Sequence, residues 1–161
     1  MNADYLVLAS RIRLEMEDLG RVVTRAERAS RTLNKVVEDS DLYIDAAALN
    51  LHDFYTGLER IFHQIAAIVD ASVPSGREWH RDLLRQMCIE IPDVRPNVLS
   101  IDTCTALDEF MRFRHVVRNV YAFQLDSERI SRLIREARTV LGRVEIELGD
   151  FAKFLEQVGQ A

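Results

Sequence analysis

The sequence predicts an all-α protein: an up-and-down bundle of four long helices and one short helix, forming a single domain over residues 1–161. Only 3 prolines and 6 glycines interrupt the chain, and long stretches contain neither. Apolar residues recur at spacings of three, four and seven, as on one face of a helix, and no segment shows the alternation of a strand. Hydrophobic residues at 48% and charged residues at 29% are typical of a globular chain that buries one core.

The first two predicted helices are long and amphipathic. The first runs from about Asp4 to about Glu38, with an apolar stripe formed by Leu8, Ile12, Leu19, Val22, Ala26, Ala29, Leu33 and Val36. Asp39-Ser40-Asp41 ends it and can cap the second helix, which runs from about Leu42 to about Ala71. The apolar stripe of the second helix is broad, so we expect this helix to be central. Gly57 inside it costs about 1 kcal/mol relative to alanine, which a close approach of another helix would explain.

The third predicted helix is short and covers about Glu78 to Ile89. Two prolines within Pro92–Pro96 then force an extended loop. Ser100 or Asp102 caps the fourth helix, which we expect to continue to about Phe123.

Asp126 is predicted to cap the fifth helix, from about Ser127 to about Gln157. One side of this helix carries a stripe of arginines at a spacing of three. It fits either a solvated, salt-bridged face or a patch that follows an RNA backbone. Its members are Arg129, Arg132, Arg135 and Arg138.

The net charge of the chain limits how it can bind a nucleic acid. The net charge is −5, so any nucleic-acid contact must come from a local patch, which a second copy of the chain can complete. Arginine supplies 19 of the 21 basic residues, so nearly every cation can make a bidentate contact with phosphate or carboxylate.

The two cysteines and the start of the chain indicate a compartment. Cys88 and Cys104 form no CxxC pair and are predicted to be reduced, as in a cytosolic protein. The first residues lack a basic signal-peptide start, and no apolar run approaches the roughly 20 residues that span a bilayer. We therefore expect a cytoplasmic protein without a membrane contact.

The segment Arg112–Tyr121 holds the residues best suited to chemistry. On a helical wheel, Ala106, Phe110, Phe113, Val117, Val120 and Gln124 share the predicted core face, with Val116 and Phe123 at its edge. Arg114, Arg118 and Tyr121 form one polar stack and His115 and Asn119 a second, both directed away from the core of their own bundle. The stacks can form a functional cluster or a subunit interface, the two arginines can pair with carboxylates of a neighbouring helix, or His115 can be a core histidine.

Other kinds of site find no support in the sequence. The remaining histidines, His52, His63 and His80, have no partner at the spacing of metal ligands, so no metal site is expected. No glycine-rich phosphate loop and no serine nucleophile elbow is present. Trp79 and His80 are expected to anchor the third helix to the bundle.

Three segments carry a resemblance to a known family: Phe54–Phe62, Glu78–Leu84 and Phe113–Tyr121. With them the chain resembles proteins of the HEPN superfamily, in particular the HepT-like toxins that are paired with minimal nucleotidyltransferases in prokaryotic toxin–antitoxin systems. The resemblance implies a dimeric helical bundle, RNA as substrate, a metal-independent endoribonuclease activity without a cofactor, and a nucleotidyltransferase antitoxin as partner.

The family motif is only partly present. It consists of an arginine, a histidine several residues later and, in the HepT branch, a tyrosine two residues after the histidine. Arg114 and Tyr121 match, but Asn119 occupies the histidine position, and a histidine stands instead at His115. Asparagine cannot exchange a proton near pH 7. His115, one turn earlier on the same stack, is the candidate for proton transfer, assisted by the dimer mate.

Two main functional hypotheses and one simpler alternative follow. In the first, His115 is the general acid/base of an endoribonuclease, Arg114 and Arg118 stabilise the phosphorane, Asn119 orients the phosphate and Arg112 and Arg118 bind RNA. The resemblance further implies that the antitoxin silences the toxin by adding AMP to Tyr121. In the second, the chain is a catalytically inactive module that partners a minimal nucleotidyltransferase or presents a substrate to it. In the simpler alternative, the motif only stabilises a dimer interface.

Overall fold

The computed structural model describes residues 1–35 and 38–161, and within them the chain folds into five α-helices with no β-strand. The all-α bundle predicted from the sequence is confirmed. The helices, in chain order, are α1 (Ala3–Leu33), α2 (Ser40–Ile68), α3 (Trp79–Met87), α4 (Ile101–Asn119) and α5 (Ser127–Gln160), with a 3₁₀ turn (Ala122–Gln124) between the last two.

Helix α2 lies at the centre of the bundle, as its broad apolar stripe predicted. It packs against each of the other four helices, and α1 and α5 pack along each other as well. The apolar face of α2 is almost fully buried, with its largest side chains Phe54, Tyr55 and Phe62 at most 1% exposed. Fully burying a side chain of this size contributes about 1.5–3 kcal/mol, so the burial of this face is a substantial part of the core stability.

The last two helices are capped by residues that the sequence predicted, Ser100 and Asp126. Ser100 Oγ accepts a hydrogen bond from the backbone amide of Thr103 at 3.2 Å, at the start of α4. Asp126 Oδ1 accepts one from the amide of Glu128 at 3.0 Å, at the start of α5. Ser100 Oγ also donates to Glu147 Oε1 of α5 at 2.7 Å, so the cap ties α4 to its neighbour.

Helix ends differ from the predicted ones where the sequence carries no strong stop. Helix α1 ends at Leu33 instead of Glu38, and Val36, predicted on its stripe, lies outside the described residues. Helix α4 ends at Asn119 instead of Phe123. The Asn119 side-chain amide donates to the His115 carbonyl at 2.6 Å, and the β-branched Val120 adopts an extended conformation with φ −128° and ψ 158°.

Because α4 stops early, part of its predicted core face is wrong. Phe110 and Phe113 are buried as expected. Beyond the helix end, however, Val120 and Phe123 are 38% and 83% exposed, and Gln124 is exposed in the 3₁₀ turn. The helical wheel assumed a periodicity that the backbone no longer follows after Asn119.

A buried ion pair holds the loop between α3 and α4. Arg95 donates from Nε and Nη2 to the two carboxylate oxygens of Asp70 at 2.6 and 2.8 Å, and both side chains are almost fully buried. Arg95 Nη1 also donates to the carbonyl oxygens of Ile89 and Pro96 at 3.0 Å. These bonds fold the proline-containing loop back onto the end of α2.

The cysteines lie on either side of this loop and form a disulfide, Cys88 at the end of α3 and Cys104 in α4, with their Cα atoms 6.4 Å apart. The prediction of two reduced cysteines is therefore wrong. Their separation of 16 residues gave no indication of proximity, because the loop that the Asp70–Arg95 pair holds is what brings α3 and α4 together.

Gly57 lies at a close approach of α1 to α2, as the sequence suggested. A Cβ atom at this position would lie 2.6 Å from Leu19 Cδ2 and 2.9 Å from Glu15 Oε1. Leu19 is only 1% exposed, so its side chain has little room to move away.

We therefore expect Gly57→Ala to lower the free energy of unfolding by about 1–3 kcal/mol, since overpacking outweighs the gain in helix propensity. Gly142→Ala in α5 is the matched control, because nothing lies within 4 Å of its added Cβ. That control is expected to stabilise the protein by about 0.5–1 kcal/mol. Urea unfolding of both variants measures the difference, and equal stabilisation by the two would contradict the close approach.

Candidate functional site

The candidate site is the C-terminal part of α4 together with the turn that follows it. Its side chains divide into two environments. Arg114 is buried, at 9% exposure, whereas His115, Arg118 and Asn119 are exposed. Tyr121, beyond the end of the helix, is 73% exposed.

Arg114 is held by side chains from two other helices. Its Nη2 lies 3.2 Å from Glu59 Oε1 of α2, and its Nε donates to Thr56 Oγ1 at 3.1 Å. Its Nη1 lies 3.4 Å from His80 Nδ1 of α3. Glu59 completes the cluster, because its Oε2 accepts a hydrogen bond from His80 Nδ1 at 2.6 Å. Three helices thus meet in one polar cluster of Thr56, Glu59, His80 and Arg114.

The prediction that Arg114 points away from its own bundle is wrong. Of the alternatives drawn from the sequence, pairing with a carboxylate of a neighbouring helix is the one that applies to Arg114. A helical wheel shows which residues share a face, but not that α2 and α3 pack against the face that carries Arg114. Arg118 on the same stack remains exposed, because it lies one turn nearer the end of the helix.

Tyr55 lies one turn before Glu59 on α2 and is fully buried. Its Oη has no hydrogen-bond partner among the residues that the structure describes. Burial raises the pKa of the Tyr55 phenol well above its usual range, the charge of Glu59 raises it further, and Arg114 opposes the shift. Tyr55 therefore stays neutral near the ion pair.

His115 and Asn119 form a second, exposed pair. The amide nitrogen of Asn119 donates to the His115 carbonyl at 2.6 Å and lies 3.4 Å from His115 Nδ1. The structure thus brings these two predicted site residues together on the solvent side of α4. The bond to the carbonyl engages the Asn119 side chain with the backbone of the last turn of α4.

Tyr121 and Phe123 stack on each other in the turn, with ring centroids 5.4 Å apart and an angle of 8° between the planes. Tyr121 does not continue the Arg114–Arg118 stack as predicted, because the helix has already ended. Two exposed aromatic rings beside exposed polar groups form a surface that another molecule can reach.

The predicted RNA-binding arginines have different surroundings. Arg112 pairs with Asp108 one turn earlier, at 2.8 Å, while Arg118 makes no ion pair within the described residues. In the α5 stripe, Arg129 lies over the Phe113 ring at 5.7 Å, and Arg138 pairs with Glu27 of α1. The first arginine of the stripe, Arg129, therefore contacts α4. Within the described residues, no hydrogen bond or ion pair joins the other three arginines to the Thr56–Glu59–His80–Arg114 cluster.

Sequence reasoning missed Thr56 and Glu59 as members of this cluster, and it gave His80 only the role of anchoring the third helix, which the bond to Glu59 confirms. Glu59 did carry a signal, because it stands between Tyr55 and Phe62 on a face that is otherwise apolar. A carboxylate on such a face needs a buried cation. His80 carried no comparable signal, since its partners lie 21 and 34 residues away. The described residues contain no group of three side chains that could hold a metal ion.

We expect Glu59→Ala to lower the free energy of unfolding by about 3–5 kcal/mol, because it leaves the Arg114 guanidinium buried without its counter-charge. Asp108→Ala is the matched control: it pairs with the exposed Arg112 and is itself only half-buried, so its loss should cost below about 1 kcal/mol. The double variant Glu59→Met/Arg114→Met should recover most of the stability. Urea unfolding tests all three, and a loss for Glu59→Ala no larger than the control's would show that the pair is not a buried constraint.

Comparison with known proteins agrees with the resemblance found in the sequence. A family model described as HepT-like protein matches residues 46–155, which span from α2 through most of α5 and include the whole candidate site. Searches among curated proteins and among solved structures gave no match. No described helix is long and apolar enough to cross a membrane. The match covers more than half of the chain, and the protein belongs to the HepT-like family.

Proposed function

We propose that this HepT-like protein is the toxin component of a prokaryotic toxin–antitoxin pair and cleaves RNA as a dimer without a metal ion. The observation that carries the proposal is the arrangement at the end of α4. An anchored arginine is followed by an exposed histidine, a second arginine and a tyrosine on a surface open to a substrate.

The chemistry proposed for this surface is transfer of a phosphoryl group within RNA, from the 5′-oxygen to the adjacent ribose 2′-oxygen. A ribose 2′-oxygen attacks the adjacent phosphorus, the bond from phosphorus to the 5′-oxygen breaks, and the products are a cyclic phosphate and a 5′-hydroxyl. His115 transfers one of the two protons involved. Arg118 neutralises the charge on the phosphorane, and Arg114, whose own charge Glu59 balances, anchors the helix that carries Arg118 and His115. Asn119 orients the phosphate, and Arg112 extends the contact along the RNA.

A dimer fits the charge of the chain. A protein with a net charge of −5 repels RNA, and two copies of the α4 surface placed around a two-fold axis would double the local positive charge. The stacked Tyr121 and Phe123 rings supply apolar surface beside it.

One observation favours a second candidate, the inactive binding module. Asn119 stands where the family has its histidine, and its side chain is engaged with the helix end. In this alternative, the α4 surface docks a minimal nucleotidyltransferase or presents a substrate to it, without RNA cleavage.

We expect the purified chain to cleave a fluorescently labelled RNA in the presence of EDTA, and His115→Gln to lower the rate by about 10²-fold or more. Induction should arrest growth, and His115→Ala should relieve the arrest. His52→Gln, remote from α4 in sequence and partly exposed on α2, is the control and should keep the wild-type rate. RNA left intact by the wild type, together with co-purification of a nucleotidyltransferase, would favour the binding module instead.

Tyr121 is the proposed site of silencing by the antitoxin. Its exposure of 73% and its position outside the helix make its hydroxyl reachable for another enzyme. We expect the cognate nucleotidyltransferase and ATP to add one adenylyl group to the chain, detected by mass spectrometry, with release of pyrophosphate. Tyr121→Phe should prevent the addition and Tyr43→Phe should not. Adenylylation of Tyr121→Phe at the wild-type level would place the modification elsewhere.

A further inference from the structure

The histidine that touches the motif arginine is His80 of α3. Its Nδ1 lies 3.4 Å from Arg114 Nη1, whereas the side-chain contact recorded for His115 is with Asn119. His80 lies 34 residues from Arg114 in sequence and enters the site from a different helix. No pattern along α4 could have pointed to it.

The hydrogen bond to Glu59 fixes the form of the His80 ring. A carboxylate only accepts hydrogen bonds, so Nδ1 must carry the proton that it donates to Glu59 Oε2 at 2.6 Å. In the neutral ring, Nε2 is then the basic nitrogen, and it makes no hydrogen bond to any described residue. A histidine oriented by a buried carboxylate, with its other nitrogen free, is the arrangement of a general base.

His80 is also accessible. Its side chain is 27% exposed, whereas Glu59 behind it is 7% exposed. The Trp79 ring packs against the imidazole, with centroids 3.4 Å apart, and restricts its rotation. The His80 ring is thus contacted by Glu59 and Trp79, while part of the ring remains accessible to solvent.

The angular order of the α4 side chains bears on where a bound phosphate would lie relative to the two histidines. Each residue advances a helix by about 100°, so Arg118 lies about 40° from Arg114 and about 60° from His115 around the axis. His80 packs on the Arg114 side. A phosphate bound by the exposed Arg118 would therefore have His80 on one side and His115 on the other, as an in-line displacement requires.

We propose that His80 is a catalytic residue of the RNA cleavage and that Glu59 positions it; the proposal rests on the proposed function. His80 Nε2 removes the proton of the ribose 2′-hydroxyl as the bond from the 2′-oxygen to phosphorus forms. The bond from phosphorus to the 5′-oxygen breaks, and the imidazolium of His115 gives the leaving oxygen its proton. Exchange with water afterwards returns both rings to their starting forms, so no further reactant is consumed.

The test is chemical rescue of His80→Ala with imidazole, using the same labelled RNA. We expect the variant to lose about 10²-fold or more in rate, and added imidazole to restore at least about tenfold of it by occupying the vacated space. His63→Ala, an exposed histidine of α2, is the matched control and should keep the wild-type rate with or without imidazole. Thermal unfolding checks that each variant is folded.

Two results would overturn the assignment while leaving the proposed function intact: His80→Ala cleaving RNA at the wild-type rate, or a folded variant that loses activity and does not respond to imidazole. Absence of cleavage by the wild type would overturn the proposed function and the assignment together. If His80→Ala does not fold, His80→Gln keeps a donor toward Glu59 but cannot exchange a proton. We expect the same loss of rate for it, and a wild-type rate would overturn the proposal.

The role of Glu59 has its own spectroscopic test. Ring ¹⁵N spectra of the wild type should show His80 protonated at Nδ1 and unprotonated at Nε2. Glu59→Met/Arg114→Met removes the acceptor and leaves no buried charge unpaired, so it should shift the ring toward the other tautomer and lower the rate. An unchanged tautomer in this variant would show that Glu59 does not position His80.

Discussion

A carboxylate and a guanidinium can be buried between helices without a large loss of stability only where they face each other. Glu59 and Arg114 are such a pair, with side chains 7% and 11% exposed. The pair fixes the rotation of α4 relative to α2, because any other rotation would leave two charges without partners. His80 binds the same carboxylate, so α3 is held to the same point. The candidate site is built outward from this one contact.

The consequence is a division of roles within one short segment. Arg114 is engaged by Glu59 and Thr56 and anchors the helix, while the next residue, His115, faces solvent. The early end of α4 then releases Tyr121 from the helix and exposes it. Residues that form a single cluster in the sequence thus occupy three environments in the structure: Arg114 is a buried anchor, His115 lies on an exposed helical face, and Tyr121 lies in an exposed turn.

Much of the fold could be predicted because helical periodicity is a local property. The apolar spacing located all five helices, the caps at Ser100 and Asp126 were correct, and Gly57 indicated a close approach that the Leu19 contact bears out. The end of α4 could not be predicted in the same way. The backbone becomes extended at Val120, whereas a wheel built from residue types assumes that the helical periodicity continues.

The sequence by itself determined the helical class, the central position of α2 and the family, since these follow from apolar spacing and from motifs within single segments. It also marked the α4 segment as the place for chemistry. Only the tertiary structure decided which way Arg114 points, that Cys88 meets Cys104, and that His80 enters the site beside Glu59. Each of these depends on contacts between helices that are distant in the chain, and the packing of one helix on another is not encoded in the periodicity of either.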